Sequence, residues 1–160
     1  MKTLELEFTQ LVKEYKSTIY TVCYMFSSDP EEVNDLFQET LVNMWRGFES
    51  FKGRSSVATW VWRVSLNTCI SGERKKKSHQ AVPLSVNFNP FESDADDGRQ
   101  IQLLHRRISR LKPFDRAIVL LWLENLSYEE IAAIVGISVK NVSVRLFRIK
   151  EELKNMSNEK

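Results

Sequence analysis

Between positions 140 and 148 the chain carries Lys140, Asn141, Ser143, Val144, Arg145 and Arg148, side chains of the types that meet base edges and phosphates in a DNA major groove. The chemistry they offer is recognition rather than bond making. Lysine and arginine hold phosphate or guanine, asparagine pairs with adenine, and a valine meets a thymine methyl. Arg145 flanks the core side of its helix, a position suited to phosphate. A second set, Thr59, Arg63, Asn67, Ser71 and Arg74, recurs at helical steps, with Trp60 and Trp62 beside it and Lys75, Lys76 and Lys77 following. Cations there hold a backbone, while aromatic faces and a side-chain amide hold bases that have left the duplex. Taken singly, each tryptophan reads as core before base platform, and a lysine run as a solvated helix end.

Nothing in the sequence calls for catalysis. His79 and His105 have no nucleophile or carboxylate at useful spacing, and there is no glycine-rich phosphate loop. Cys23 and Cys69 lack metal-ligand spacing and read as reduced and buried. The expectation is a protein with no catalytic residue, no metal and no cofactor.

The elements that must place these residues follow from periodicity. Ser127 and Glu130 form a capping box, Gly136 suits a left-handed helix stop, and Ser138 caps the next helix. Ala132 and Ala133 permit close approach, so residues 126–153 read as a helix-turn-helix. In its second helix Val142, Leu146, Ile149 and Leu153 face the core, and Phe147 reads as packed on a neighbouring helix. The competing reading is an ordinary helical hairpin with a solvated basic face. Cap, turn glycine and outward polar face agree on DNA.

Upstream, Phe8, Leu11, Val12, Tyr15, Ile19, Val22, Cys23 and Phe26 mark one helix, and Val33, Leu36, Phe37, Leu41, Met44, Trp45 and Phe48 a second. The second leaves Asp35, Gln38, Glu39 and Arg46 on its other side. A loop "FESFKGRSS", with a cap at Ser55 or Ser56, leads into a third helix that Gly72 weakens near its end. From Ser78 to Gly98 periodicity is lost among Pro83, Pro90 and the acidic "ESDADDG", which reads as a linker. Ile101, Leu104, Ile108 and Leu111 mark a helix that stops at Pro113, and "FDRAIVLLWLEN" makes another. With no period-two alternation, the fold class is all-α, in two small helical domains at 1–77 and 99–160 joined by a linker at 78–98.

Composition agrees: 42% hydrophobic and 28% charged residues describe a globular chain, and a net charge of +2 conceals basic clusters separated by acidic ones. The apolar run at 117–123 is far short of the roughly 20 residues that span a bilayer, and the acidic start is unlike a signal peptide. A cytoplasmic protein without membrane insertion is expected.

"DPEEVNDLFQETLVNMW" resembles the region-two helix of bacterial RNA polymerase sigma factors of the extracytoplasmic-function (ECF) group, with Asp35, Leu36, Gln38, Glu39 and Trp45 at the family's spacing. "WVWRVSLNTCISGERKKK" resembles the promoter-opening helix, with Trp60, Arg63, Asn67 and Arg74 in register. The stretch from Leu111 to Leu153 is similar to region four, which reads the upstream promoter element. The resemblance implies a promoter-specificity subunit whose partners are core RNA polymerase, duplex and single-stranded promoter DNA, and an anti-sigma factor. It implies that Asp35, Gln38 and Glu39 dock on the polymerase, and that the loop 51–56 takes a flipped base. Trp60, Arg63, Asn67, Arg74 and Lys75 would hold the melted strand. Lys140, Asn141, Ser143, Val144, Arg145 and Arg148 would engage the upstream duplex, and Asp94, Asp96 and Asp97 would lie along a basic channel of the polymerase. Ser71 and Gly72 replace the family's frequent aspartate and aromatic, and Ser143 and Val144 its lysine and serine. The rival function is a stand-alone helix-turn-helix regulator with a helical sensor domain, which has no use for an aromatic, basic third helix.

Overall fold

The computed structural model describes residues 2–51, 55–78 and 96–156. Among them are seven α-helices and no strand: α1 Lys2–Met25, α2 Pro30–Phe51, α3 Val57–Ser78, α4 Asp96–Ser109, α5 Pro113–Leu123, α6 Tyr128–Val135 and α7 Val139–Met156. The chain divides into two compact units, Met1–Leu84 and Ser85–Lys160.

In the first unit α1, α2 and α3 pack on one another. Ser27 and Asp29 start α2: the Asp29 N–H donates to Ser27 Oγ, Asp29 Oδ1 accepts from the Glu31 N–H at 3.1 Å, and Pro30 occupies the first helical position. Of the two candidate serines Ser56 caps α3, its Oγ accepting from the Thr59 N–H at 3.1 Å. The core joins Ile19, Val22 and Cys23 of α1 to Val33, Leu36, Phe37 and Met44 of α2 and to Val61, Trp62, Leu66 and Cys69 of α3. Each large side chain so buried contributes roughly 1.5–3 kcal/mol. Thr40 is buried without penalty because its hydroxyl donates to the Leu36 carbonyl at 2.7 Å. Cys23 and Cys69 are free, buried and hydrogen-bonded to each other; that bond, then burial, pushes the Cys69 thiol up.

Gly72 does not end or break α3, which continues to Ser78. A Cβ at Gly72 would stand 3.2 Å from Leu36 Cδ2, so a side chain there would press on α2.

The second unit is built from α4 to α7 around Ile108, Leu111, Ile118, Leu121, Ile131, Val142, Leu146 and Ile149. The sharp α4–α5 turn follows from Pro113: Lys112 is extended, φ −61° and ψ 150°, as a residue preceding proline must be. Arg116 holds the turn from inside, its Nη2 donating to the carbonyls of Ser109 at 2.8 Å and Leu111 at 3.0 Å. A guanidinium on the Ser109 carbonyl, the last of α4, and on the Leu111 carbonyl just beyond it satisfies both and opposes the helix dipole. Leu104, expected on the apolar stripe of α4, is exposed, although Ile108, one turn further on, is fully buried.

Candidate nucleic-acid interface

The helix-turn-helix is fixed by short-range bonds. Ser127 Oγ accepts from the Glu130 N–H at 3.1 Å and Glu130 Oε1 accepts from the Ser127 N–H at 2.8 Å, closing the capping box. Gly136 takes φ 79° and ψ 34° and donates its N–H to the Ala132 carbonyl. Ser138 Oγ then accepts from the Asn141 N–H at 3.1 Å, starting α7. Ala132 is buried in this hairpin, whereas Ala133 is exposed; Ile134, not Ala133, fills the remaining inner position.

Along α7, Val142, Leu146 and Ile149 are buried, while Lys140, Asn141, Ser143, Val144, Arg145 and Arg148 are all exposed. The six expected readers thus share the outward side of one helix. Arg145 differs from the others: its Nη1 stands 3.3 Å from Asp115 Oδ1, and its guanidinium lies over the Phe114 ring, 4.9 Å from the centroid. Lys150 is similarly held over Trp122, at 4.4 Å. Phe147 is not packed on a neighbouring helix; it is 68% exposed, because its position points it outward with Val144 rather than inward with Leu146.

In the first unit, Asn67 and Ser71 are exposed on α3, and Arg63 and Thr59 half-exposed. Asn67 and Ser71 line a groove of about 290 Å³ between α2 and α3, with Glu39, Asn43, Val64, Thr68 and Gly72 as its other walls. Asn43 Nδ2 donates to Thr68 Oγ1 at 2.9 Å, and that hydroxyl donates to the Val64 carbonyl at 2.8 Å, so the far wall is polar and held in place. The sequence reading missed Asn43, whose role depends on which helix α2 faces. The backbone of α3 carries Arg74 and Lys75 in its last turns, but their side chains lie outside the described residues.

The two tryptophans separate. Trp62 is 8% exposed and belongs to the core. Trp60 is half-exposed and stacks on Phe51, centroids 4.8 Å apart at an interplanar angle of 27°, with Phe48 behind it at 6.2 Å. Phe48 in turn meets Phe8, and Phe8 meets Trp45, so a file of rings runs from the foot of the loop 51–56 to α1. Residues 52–54 of that loop, and Asp94, lie outside the described residues; Asp96 and Asp97 fall in the first turn of α4.

Asp35, Gln38 and Glu39 are exposed on α2. Asp35 and Glu39 also border a second cleft of about 140 Å³ with Glu32 and Glu73, making that side of the unit strongly acidic. No group of three or more metal-ligating side chains occurs among the described residues, and no described helix is long and apolar enough to cross a membrane.

Two helical units in series, one carrying a helix-turn-helix and the other a polar groove between packed helices, have the architecture of a DNA-binding protein. Residues 11–79 match the family model Sigma-70 region 2, and residues 101–153 match Sigma-70, region 4. The RNA polymerase sigma factor YlaC of Bacillus subtilis is 30% identical over 152 residues, 90% of this chain and 88% of that protein. The ECF RNA polymerase sigma-E factor of Escherichia coli K12 is 31% identical over 166 residues, 92% and 85% of the two chains. The chain belongs to the sigma factors, the promoter-specificity subunits of RNA polymerase. In fold it is similar to the sigma factor RpoE in complex with the anti-sigma factor NepR from Bartonella quintana, with TM-score 0.75 and 23% identity over 96% of this chain and 99% of that one. It is likewise similar to CnrH in complex with the cytosolic domain of CnrY, with TM-score 0.70 and 21% identity over 96% and 89%. The match to region 2 displaces the reading as a stand-alone regulator, for which the first unit would be a sensor.

Proposed function

We propose that the two units divide promoter recognition between them, the second reading the upstream duplex and the first holding the strand that melts downstream. The observation that supports this is the placement of Asn67 and Ser71 on a polar groove in the first unit, in a chain whose other unit leaves Lys140, Asn141, Ser143, Val144, Arg145 and Arg148 exposed on α7. Lys140, Asn141, Ser143, Arg145 and Arg148 bond phosphates and base edges, and Val144 with Phe147 meets thymine methyls. Arg63, Arg74 and Lys75 hold the backbone of the melted strand. Asn67 bonds its bases beside Asn43, and Trp60 offers its exposed part to a base extruded at the loop 51–56. Extrusion costs a few kcal/mol per base, which stacking and hydrogen bonds at such a site must offset. Trp62, being core, has no part in this.

Asp35, Gln38 and Glu39 dock on a basic surface of the polymerase. Residues 78–98 tether unit 1–77 to unit 99–160, and Asp94, Asp96 and Asp97 follow a basic channel of the enzyme. The sigma factor RpoE, of similar fold, is bound to the anti-sigma factor NepR, and a partner of that kind is proposed here. The protein has no catalytic role of its own and works in the cytoplasm.

Mixed with core polymerase and genomic templates, the chain should support transcription from a defined set of starts. Asn67→Ala should slow strand opening while leaving duplex binding near wild type. Equal loss of both steps would contradict the role given to Asn67.

A further inference from the structure

Asp115 lies outside the recognition helix, in the first turn of α5, yet its Oδ1 stands 3.3 Å from Arg145 Nη1. The preceding residue, Phe114, places its ring against the same guanidinium, with Cζ 4.9 Å from the ring centroid. One contact takes an edge of the planar group and the other its face, so together they fix its plane. A guanidinium has five N–H donors. The carboxylate engages one nitrogen, and the others remain for another acceptor. The arginine side chain keeps 44% exposure against 21% for the aspartate, so the pair is open on the arginine side.

We propose that Asp115 is a positioning residue: with Phe114 it holds the Arg145 guanidinium in the orientation that grips the upstream duplex, and so sets promoter affinity without itself touching DNA. This rests on the reading of α7 given above. Two effects of the carboxylate oppose each other. Holding the side chain removes the loss of freedom that an unrestrained arginine suffers on binding. Its negative charge repels the phosphates, but that repulsion acts through solvent and fades over a Debye length of about 8 Å at physiological ionic strength. Orientation is not screened in this way, so at physiological salt the positioning effect prevails.

The test uses holoenzyme assembled from core polymerase and the full chain, titrated with the duplex that wild-type holoenzyme selects from a randomised pool. Asp115→Ala should weaken binding about threefold to tenfold. Asp115→Asn keeps an acceptor oxygen and should stay within about twofold of wild type. Arg145→Ala should lower the slope of log affinity against log salt by about one, whereas Asp115→Ala should leave that slope unchanged, because the phosphate contact persists in a looser form. In an Arg145→Ala background, Asp115→Ala should add nothing. The proposal is overturned if Asp115→Ala binds as well as wild type or more tightly, or if it weakens binding equally without Arg145. If Arg145→Ala weakens binding and Asp115→Ala does not, only the positioning role falls. If Arg145→Ala changes nothing, the placement of Arg145 on the duplex falls as well.

Discussion

Val144 and Phe147 stand three positions apart on α7, 41% and 68% exposed, so an apolar strip lies among the cations of the face proposed to read DNA. A phenylalanine that is two-thirds exposed has little to lose on truncation. Phe147→Ala is therefore expected to leave thermal stability within about 0.5 kcal/mol while relaxing the preference for thymine in the upstream element. Arg148→Ala should weaken all duplexes alike and reduce the salt slope by about one. Anisotropy titrations of base-substituted duplexes over a salt series would check both; unaltered base preference in Phe147→Ala would count against its role. In the sequence, helical register turns Phe147 away from the core of its own hairpin, yet a large apolar side chain reads as packed on a neighbouring helix rather than bare. Trp60 and Trp62 show the same difficulty, two positions apart with one half-exposed and the other in the core. Residue type does not settle which side of a helix is covered; the packed neighbour does.

Helix ends were legible because their partners are three residues away. The capping box at Ser127, the stop at Gly136 and the start at Ser138 all follow from local hydrogen-bonding rules that hold whatever surrounds them. At Gly136 a Cβ would meet no atom within 4 Å, so the requirement for glycine is one of backbone conformation alone. Gly136→Ala should destabilise the second unit by about 1–2 kcal/mol, seen as a lower melting temperature with duplex binding retained well below it. An unchanged melting curve would mean that the turn tolerates a side chain at φ 79°. Gly72 is the contrasting case. Its helical conformation is ordinary, and only Leu36, in another helix, explains why no side chain sits there. That relation, like the bond of Asn43 to Thr68 or the clamp of Asp115 on Arg145, joins residues far apart in sequence and is invisible to periodicity.

The organisation into two helical units is readable from where periodicity lapses and where charge changes sign. How α2 and α3 pair to make a groove is not, since it depends on side-chain volumes at the contact. Units of this size bury only about 60% of their unfolded surface and leave little stability in reserve. Met44 is fully buried in the first unit, so Met44→Ala should cost that unit about 2–5 kcal/mol. In calorimetry of the full chain the transition of the first unit should move down while that of the second stays in place. A joint shift of both would show that the units unfold together. The stacked pair Trp60 and Phe51 gives the first unit an optical property: indole emission depends on what lies against the ring, and this indole stands at the foot of the loop proposed to receive a base. A nucleobase arriving against its exposed part would quench that emission, so strand capture could be timed in a stopped-flow fluorimeter with no dye attached to either partner.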